Sequence, residues 1–187
     1  MLGNTVTSSL NILAHRYWTL ATASFSHHAW DRLLGNMIGL AIYAPAFYTA
    51  GGVGIGASHV IRLTIGSAVV SNLASLVYRW PEPRDHPDAK EDDIPGRDGT
   101  HGASGVVNAF ATAATCLTPD KCIAIGRFTL PFPMWFITVN FIIHDMVMLD
   151  SGDTTAHEAH LMGATYGLAY YMIILRKSFG WRHLIVR

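Results

Sequence analysis

Residues Gly102 to Leu117 read GASGVVNAFATAATCL, a helix built mostly of small side chains inside a chain of membrane-type composition. A serine framed by glycines leaves room for another backbone to approach, with a free N–H beside the hydroxyl. That hydroxyl is a poor nucleophile until a base takes its proton. His160, which begins a later apolar segment, is the candidate base. The competing reading of the Gly102-Ala103-Ser104-Gly105 tetrapeptide is plain helix packing, because small-xxx-small patterns are common in membrane bundles. The rest of the chain decides between the two.

The 187 residues suffice for one domain. Half are hydrophobic and 14% are charged, against about 25% in soluble proteins. Net charge is zero and no basic stripe with interleaved aromatics appears, which excludes a nucleic-acid partner. Cys116 and Cys122 read as free thiols flanking a short turn.

Five apolar segments, near 29–50, 56–78, 102–117, 131–149 and 159–176, approach the length of a spanning helix, the third being the shortest. The expected fold is therefore an all-α, polytopic transmembrane bundle in contact with lipid. Residues 1–28 are expected to form an interfacial segment, 79–101 a solvent loop within the 29–176 membrane domain, and 177–187 a basic tail. Traced as a zigzag, the acidic loop residues, Asp150 and Asp153 share one side with His27. Lys121, Arg127, Arg176, Lys177, Arg182 and Arg187 share the other, which the positive-inside rule assigns to cytosol or matrix. On this zigzag Ser104, His160 and Asn36 all fall at similar depth near the acidic side. Polar groups at such depth in lipid are costly and tend to be functional.

Four stretches then carry a family resemblance. Phe25-Ser26-His27 with Asn36-Met37 resembles the first active-site segment of the rhomboid intramembrane serine proteases, which reads histidine, four residues, histidine, three residues, asparagine. Gly102-Ala103-Ser104-Gly105 resembles the family's G-x-S-G nucleophile motif, and Ala159-His160-Leu161-Met162-Gly163 its A-H-x-x-G base motif. Leu130-Pro131-Phe132-Pro133, followed by Trp135, is similar to the fifth core helix of the mitochondrial presenilin-associated rhomboid-like branch. The resemblance covers about Tyr17 to Tyr171.

The resemblance implies a Ser104–His160 dyad without a carboxylate. It implies an oxyanion hole made by the Ser104 N–H and Asn36, with His27 supporting the site. Gly102 and Gly105 belong to the nucleophile motif, while Gly163 and Gly167 would let the last helix approach the serine helix. Substrates would be transmembrane segments of other proteins, no metal or organic cofactor would be needed, and the branch points to the mitochondrial inner membrane. Oligomeric state is not specified. The sequence departs from the family at three places. Arg32 stands where the second histidine falls, and can fill the oxyanion hole or point outward. Asn108 stands four residues after the nucleophile, and a first core helix with its lateral loop is expected to be missing from this sequence.

The main rival is a rhomboid-like pseudoprotease that binds client helices, which Arg32 favours and the paired Ser104 and His160 oppose. A metal reading of His157-Glu158-Ala159-His160 fails the H-E-x-x-H spacing by one residue. A two-histidine site with Asp150 or Asp153 is its geometric variant. His144-Asp145 could add ligands to such a site but reads first as a polar helix terminus, His101 reads as an exposed loop histidine, and Gly35 with Gly39 as a packing pair.

Overall fold

The computed structural model describes residues 5–49, 55–80, 99–125, 128–151 and 155–179. They form a helical bundle. Short helices α1 (Ser9–Leu13) and α2 (Thr19–Thr22) and a 3-10 turn (Ala23–Phe25) precede α3 (Trp30–Thr49), α4 (Ala57–Tyr78) and α5 (Ser104–Leu117). Strands β1 (Cys122–Ile125) and β2 (Phe128–Pro133) then pair antiparallel before α6 (Met134–Val147). Helix α7 (His157–Tyr170) continues through a π turn (Tyr171–Leu175) into α8 (Arg176–Phe179). Each apolar segment expected from the sequence thus coincides with one long helix, α7 beginning two residues before the expected 159. Most of the expected solvent loop (81–98), Asp153 and the tail from 180 onward lie outside the described residues.

The strand pair is the main departure from an all-helical reading. Pro131 and Pro133 offer no N–H to a helix and push their preceding residues toward extended backbone. Helix α6 accordingly starts at Met134, with Pro133 extended (φ −67°, ψ 154°) as its N-cap. Ile123 of β1 is buried and joins the core.

Among the described residues, α4 alone has both the length and the apolarity to cross a membrane. Helices α5 and α6 have 14 residues each, roughly 21 Å at 1.5 Å per residue. Helix α6 exposes Val139, Phe141, Ile143, Met146 and Val147 while burying Met134, Thr138 and Asp145.

Helix α5 is the hub. Its buried face carries Val106, Ala109, Phe110, Ala113 and Ala114, and α7 lies against it backbone to backbone. A Cβ on Gly163 would sit 2.8 Å from the Gly105 carbonyl carbon, and one on Gly167 would sit 2.8 Å from the Ala109 Cα. A Cβ on Gly105 would be 2.5 Å from Ser71 Oγ of α4, so three helices converge at this point. The upper ends are tied by a polar clamp. Glu158 accepts from Ser75 Oγ (2.6 Å) and pairs with Arg79 Nε (2.5 Å), and Ser75 also meets Thr100 Oγ1 at 2.6 Å.

The segment expected to be interfacial is hydrogen-bonded to the bundle. Asn72 Nδ2 donates to the Leu20 carbonyl (2.9 Å) and to Ser24 Oγ (3.0 Å), and Thr7 pairs through its backbone with Thr100.

This packing predicts that Gly163→Val lowers the thermal midpoint of the detergent-solubilised protein. Overpacked sites typically cost about 1–3 kcal/mol. Gly35→Ala, whose Cβ would meet nothing within 4 Å inside helix α3, should leave the midpoint unchanged or raise it slightly. Equal midpoints for both variants would sink the close-approach account.

Candidate active site

Gly102 turns the chain into α5 with φ +106°, a conformation L side chains rarely adopt, and donates its N–H to the Ala23 carbonyl at 3.0 Å. The next residues present Ser104 as the first residue of α5. Its N–H is among the first-turn donors that an α-helix leaves without an internal partner, at the positive end of the helix dipole. Asn36 comes from the second turn of α3, and His160 from the first turn of α7.

Two cavities meet at these side chains. The larger, about 490 Å³, runs between α3, α5 and α6 past Ile38, Ile42, Ile137 and Phe141, and reaches Ser104 and His160 at its polar end. The smaller, about 270 Å³, is bordered by His27, His28, Arg32, His101 and Gly102, and also by Ser104, Asn36 and His160. The serine and the histidine therefore stand where an apolar channel joins a polar vestibule. Arg32 is exposed and belongs to the vestibule. Gly39 packs against Val107 as expected, whereas Gly35 opens onto both cavities.

His27 holds this geometry. Its Nε2 accepts the Ala103 N–H at 3.3 Å, so that nitrogen carries no proton and the Asn36 Nδ2 contact of 2.9 Å is a donation to it. Asn36 keeps its second N–H for another acceptor. Asn108 turns back to donate to the Ser104 carbonyl at 3.0 Å.

The group that sequence reasoning missed is Asp145. It is buried in the last turn of α6, where its Oδ1 lies 3.1 Å from His160 Nδ1 and 2.6 Å from His157 Nδ1. An ionised carboxylate only accepts, so both contacts place the proton on Nδ1. That leaves His160 Nε2 as the basic nitrogen. The signal was present in the sequence as an acid inside an apolar span, and it was read as a helix end.

Residues 14–177 match the family model of the Rhomboid domain. The chain is 26% identical over 167 residues to RHOMBOID-like protein 12, mitochondrial, of Arabidopsis thaliana, covering 88% of this chain and 48% of that protein. It thus spans about half the length of the curated relative it matches.

Burial lowers the pKa of His27 below its usual 6.5. His101 is lowered too, first by burial and then by the neighbouring His28 ring, 4.0 Å away between centroids; Arg32 and His27 add to this and a hydrogen bond that the ring donates to the Gly99 backbone opposes it. For a lowered histidine, the unfolded chain takes up the proton before the folded one does. The stabilisation is complete above the unfolded pKa near 6.5 and is lost as pH falls from there toward the folded value. The stability advantage of wild type over His27→Gln, measured by thermal melts in detergent, should therefore shrink between about pH 7 and pH 5. An advantage that stays flat across that range would contradict a neutral His27 acceptor.

Proposed function

The chain belongs to the rhomboid family, and from that premise we propose that it is an intramembrane serine protease. It would be a multi-pass protein of the mitochondrial inner membrane that cleaves peptide bonds within or beside transmembrane segments of other proteins. The observation that carries the reading is the shared position of Ser104 and His160 at the junction of the two cavities, with Asp145 on the far nitrogen of the imidazole.

In this reading, His160 Nε2 takes the Ser104 proton as Oγ attacks the scissile carbonyl. The developing oxyanion receives hydrogen bonds from the Ser104 N–H and the Asn36 amide, donors whose removal typically costs about 10²- to 10³-fold. Collapse of the tetrahedral species passes the proton from His160 to the departing amine and leaves an acyl-serine. Water enters from the vestibule, loses a proton to His160, and attacks the acyl carbon. The proton returns to Ser104 as the acid leaves. Asp145 keeps the Nδ1 proton in place and balances the imidazolium that forms twice per cycle. The apolar channel suits an unwound segment of a substrate helix, and none of these steps requires a metal or an organic cofactor.

Arg32 supports a second reading, in which the bundle binds client helices without cleaving them. By sequence count Arg32 stands where a family histidine falls, and it borders the vestibule. A serine-directed fluorophosphonate separates the two. Wild type should label, Ser104→Ala and His160→Ala should not, and Asp145→Asn should label about 10²-fold more slowly or worse. Labelling retained in Ser104→Ala or His160→Ala would refute the mechanism. A folded wild type that never labels would favour the client binder.

Arg32 has its own test. If it fills the oxyanion position, Arg32→His should preserve or raise the labelling rate, and Arg32→Leu should lower it by about 10²-fold. Indifference to both changes would mean that the side chain works elsewhere.

A further inference from the structure

Asp145 stands in two constellations, the base pair with His160 and a cluster with His144 and His157. We propose that His144, Asp145 and His157 bind a single divalent transition-metal ion of the zinc class, and that this ion restrains the active site by drawing Asp145 away from His160. The binding claim stands on the cluster alone; the restraint rests on the protease reading above.

Each of the three residues offers one ligand atom, and these atoms all lie within 4.8 Å of one another. His144 and Asp145 are adjacent at the end of α6, and His157 is the first residue of α7, so the cluster bridges two helices. His157 Nδ1 is 2.6 Å and His144 Nδ1 3.8 Å from the same Asp145 oxygen. The two imidazole centroids are 5.7 Å apart. In a tetrahedral site with bonds near 2.0–2.1 Å, neighbouring ligand atoms are about 3.3 Å apart. The cluster brackets that value, so His157 would withdraw slightly and His144 would close in. His144 can do so readily, because its side chain is 62% exposed.

The donor set selects the ion. Two imidazoles and one carboxylate suit zinc, cobalt or nickel, whereas calcium and magnesium call for oxygen ligands. Three protein ligands leave a fourth position open, as in zinc sites that keep a water. All three residues border the larger cavity, which gives the ion a path of entry. An ion on Asp145 Oδ1 competes for the same oxygen that accepts the His160 Nδ1 proton. His157 would then carry its proton on Nε2 and coordinate through Nδ1. His160 would lose the partner that fixes its tautomer, so the metal would slow the serine without touching it.

The full-length chain, stripped with chelator and titrated with Co²⁺ in detergent, tests binding by visible absorption. One equivalent should bind with tetrahedral d–d bands in wild type and in Ser104→Ala, and not in His144→Gln. Failure to bind one equivalent, or unchanged bands in His144→Gln, would overturn the site. His157→Gln serves as a second ligand variant, while the exposed His144 guards against loss of binding through misfolding. Saturating Zn²⁺ should then slow fluorophosphonate labelling of wild type by about 10-fold or more, as befits a displaced partner of the base. The ratio of rates with and without Zn²⁺ should return to one in His144→Gln. Slowing that persists in that variant would refute the link through Asp145. A metal-free wild type that does not label defeats the protease reading, and the Co²⁺ titration still decides the metal site.

Discussion

The backbone contact between α5 and α7 is the constraint from which the rest of the site follows. Gly163 lies on Gly105, and Gly167 lies on Ala109 one turn further along. Ser104 immediately precedes Gly105, and His160 lies three residues before Gly163, on the adjoining turn of its helix. The glycines that bring the two backbones together therefore also bring Ser104 and His160 to one level. Lateral closeness alone would leave the helices free to slide. The clamp of Ser75, Thr100, Arg79 and Glu158 fixes the slide, because it ties the loop before Ser104, the end of α4 and the start of α7 through one buried carboxylate. Glu158 is buried while Arg79 is half-exposed, so solvent screens the pair and it contributes less than a fully buried one; its loss would be felt as a register error between Ser104 and His160.

Apart from His101 Nδ1, which is buried in the vestibule without a hydrogen-bond partner among the described residues, the polar groups described at the site follow the accounting that an apolar interior imposes, in which each buried donor or acceptor needs a partner. His27 shows how this selects protonation. Two donors, the Ala103 N–H and the Asn36 amide, converge on a single ring nitrogen, and only the neutral ring can receive them. Burial pushes the same way. On the opposite side Asp145 reverses the pattern, with one carboxylate oxygen facing two imidazole nitrogens. The site is thus bounded by an acceptor histidine that orients an amide and an acceptor carboxylate that orients a base. Ser104 sits between them.

Much of this was legible in the sequence. The long helices fall inside the apolar segments, and Ser104, Asn36 and His160 border the same two cavities. That legibility has a physical origin: apolar runs and small-residue spacing are local properties, and the chain displays them directly. What was hidden depends on contacts between distant residues. The strand pair at 122–133 is short and contains two prolines that also suit a helix start. The N-terminal segment reads as amphipathic surface until Asn72 is seen to reach Leu20 and Ser24. Asp145 at the end of an apolar span looks like a solvated terminus unless His157 and His160 are known to face it.

Four helices each deliver one part of the proposed chemistry: the amide from α3, the hydroxyl from α5, the carboxylate from α6 and the imidazole from α7. They are not held with equal firmness. Helices α4, α5 and α7 interlock through glycines and the buried clamp, whereas α6 turns much of its apolar surface outward and buries only Met134, Thr138 and Asp145. Among the described residues, two side chains of α6 make polar contacts to the interlocked helices: Thr138 to Thr115 of α5 at 2.7 Å, and Asp145 to His157 at 2.6 Å and His160 at 3.1 Å on α7. The second of these is the carboxylate that orients the base. Whatever shifts α6, whether lipid, a substrate helix or an ion on Asp145, acts on His160 through that attachment, while Ser104 stays fixed by the glycine contact. Orientation of His160 is therefore the adjustable element of this site, and the position of Ser104 the invariant one.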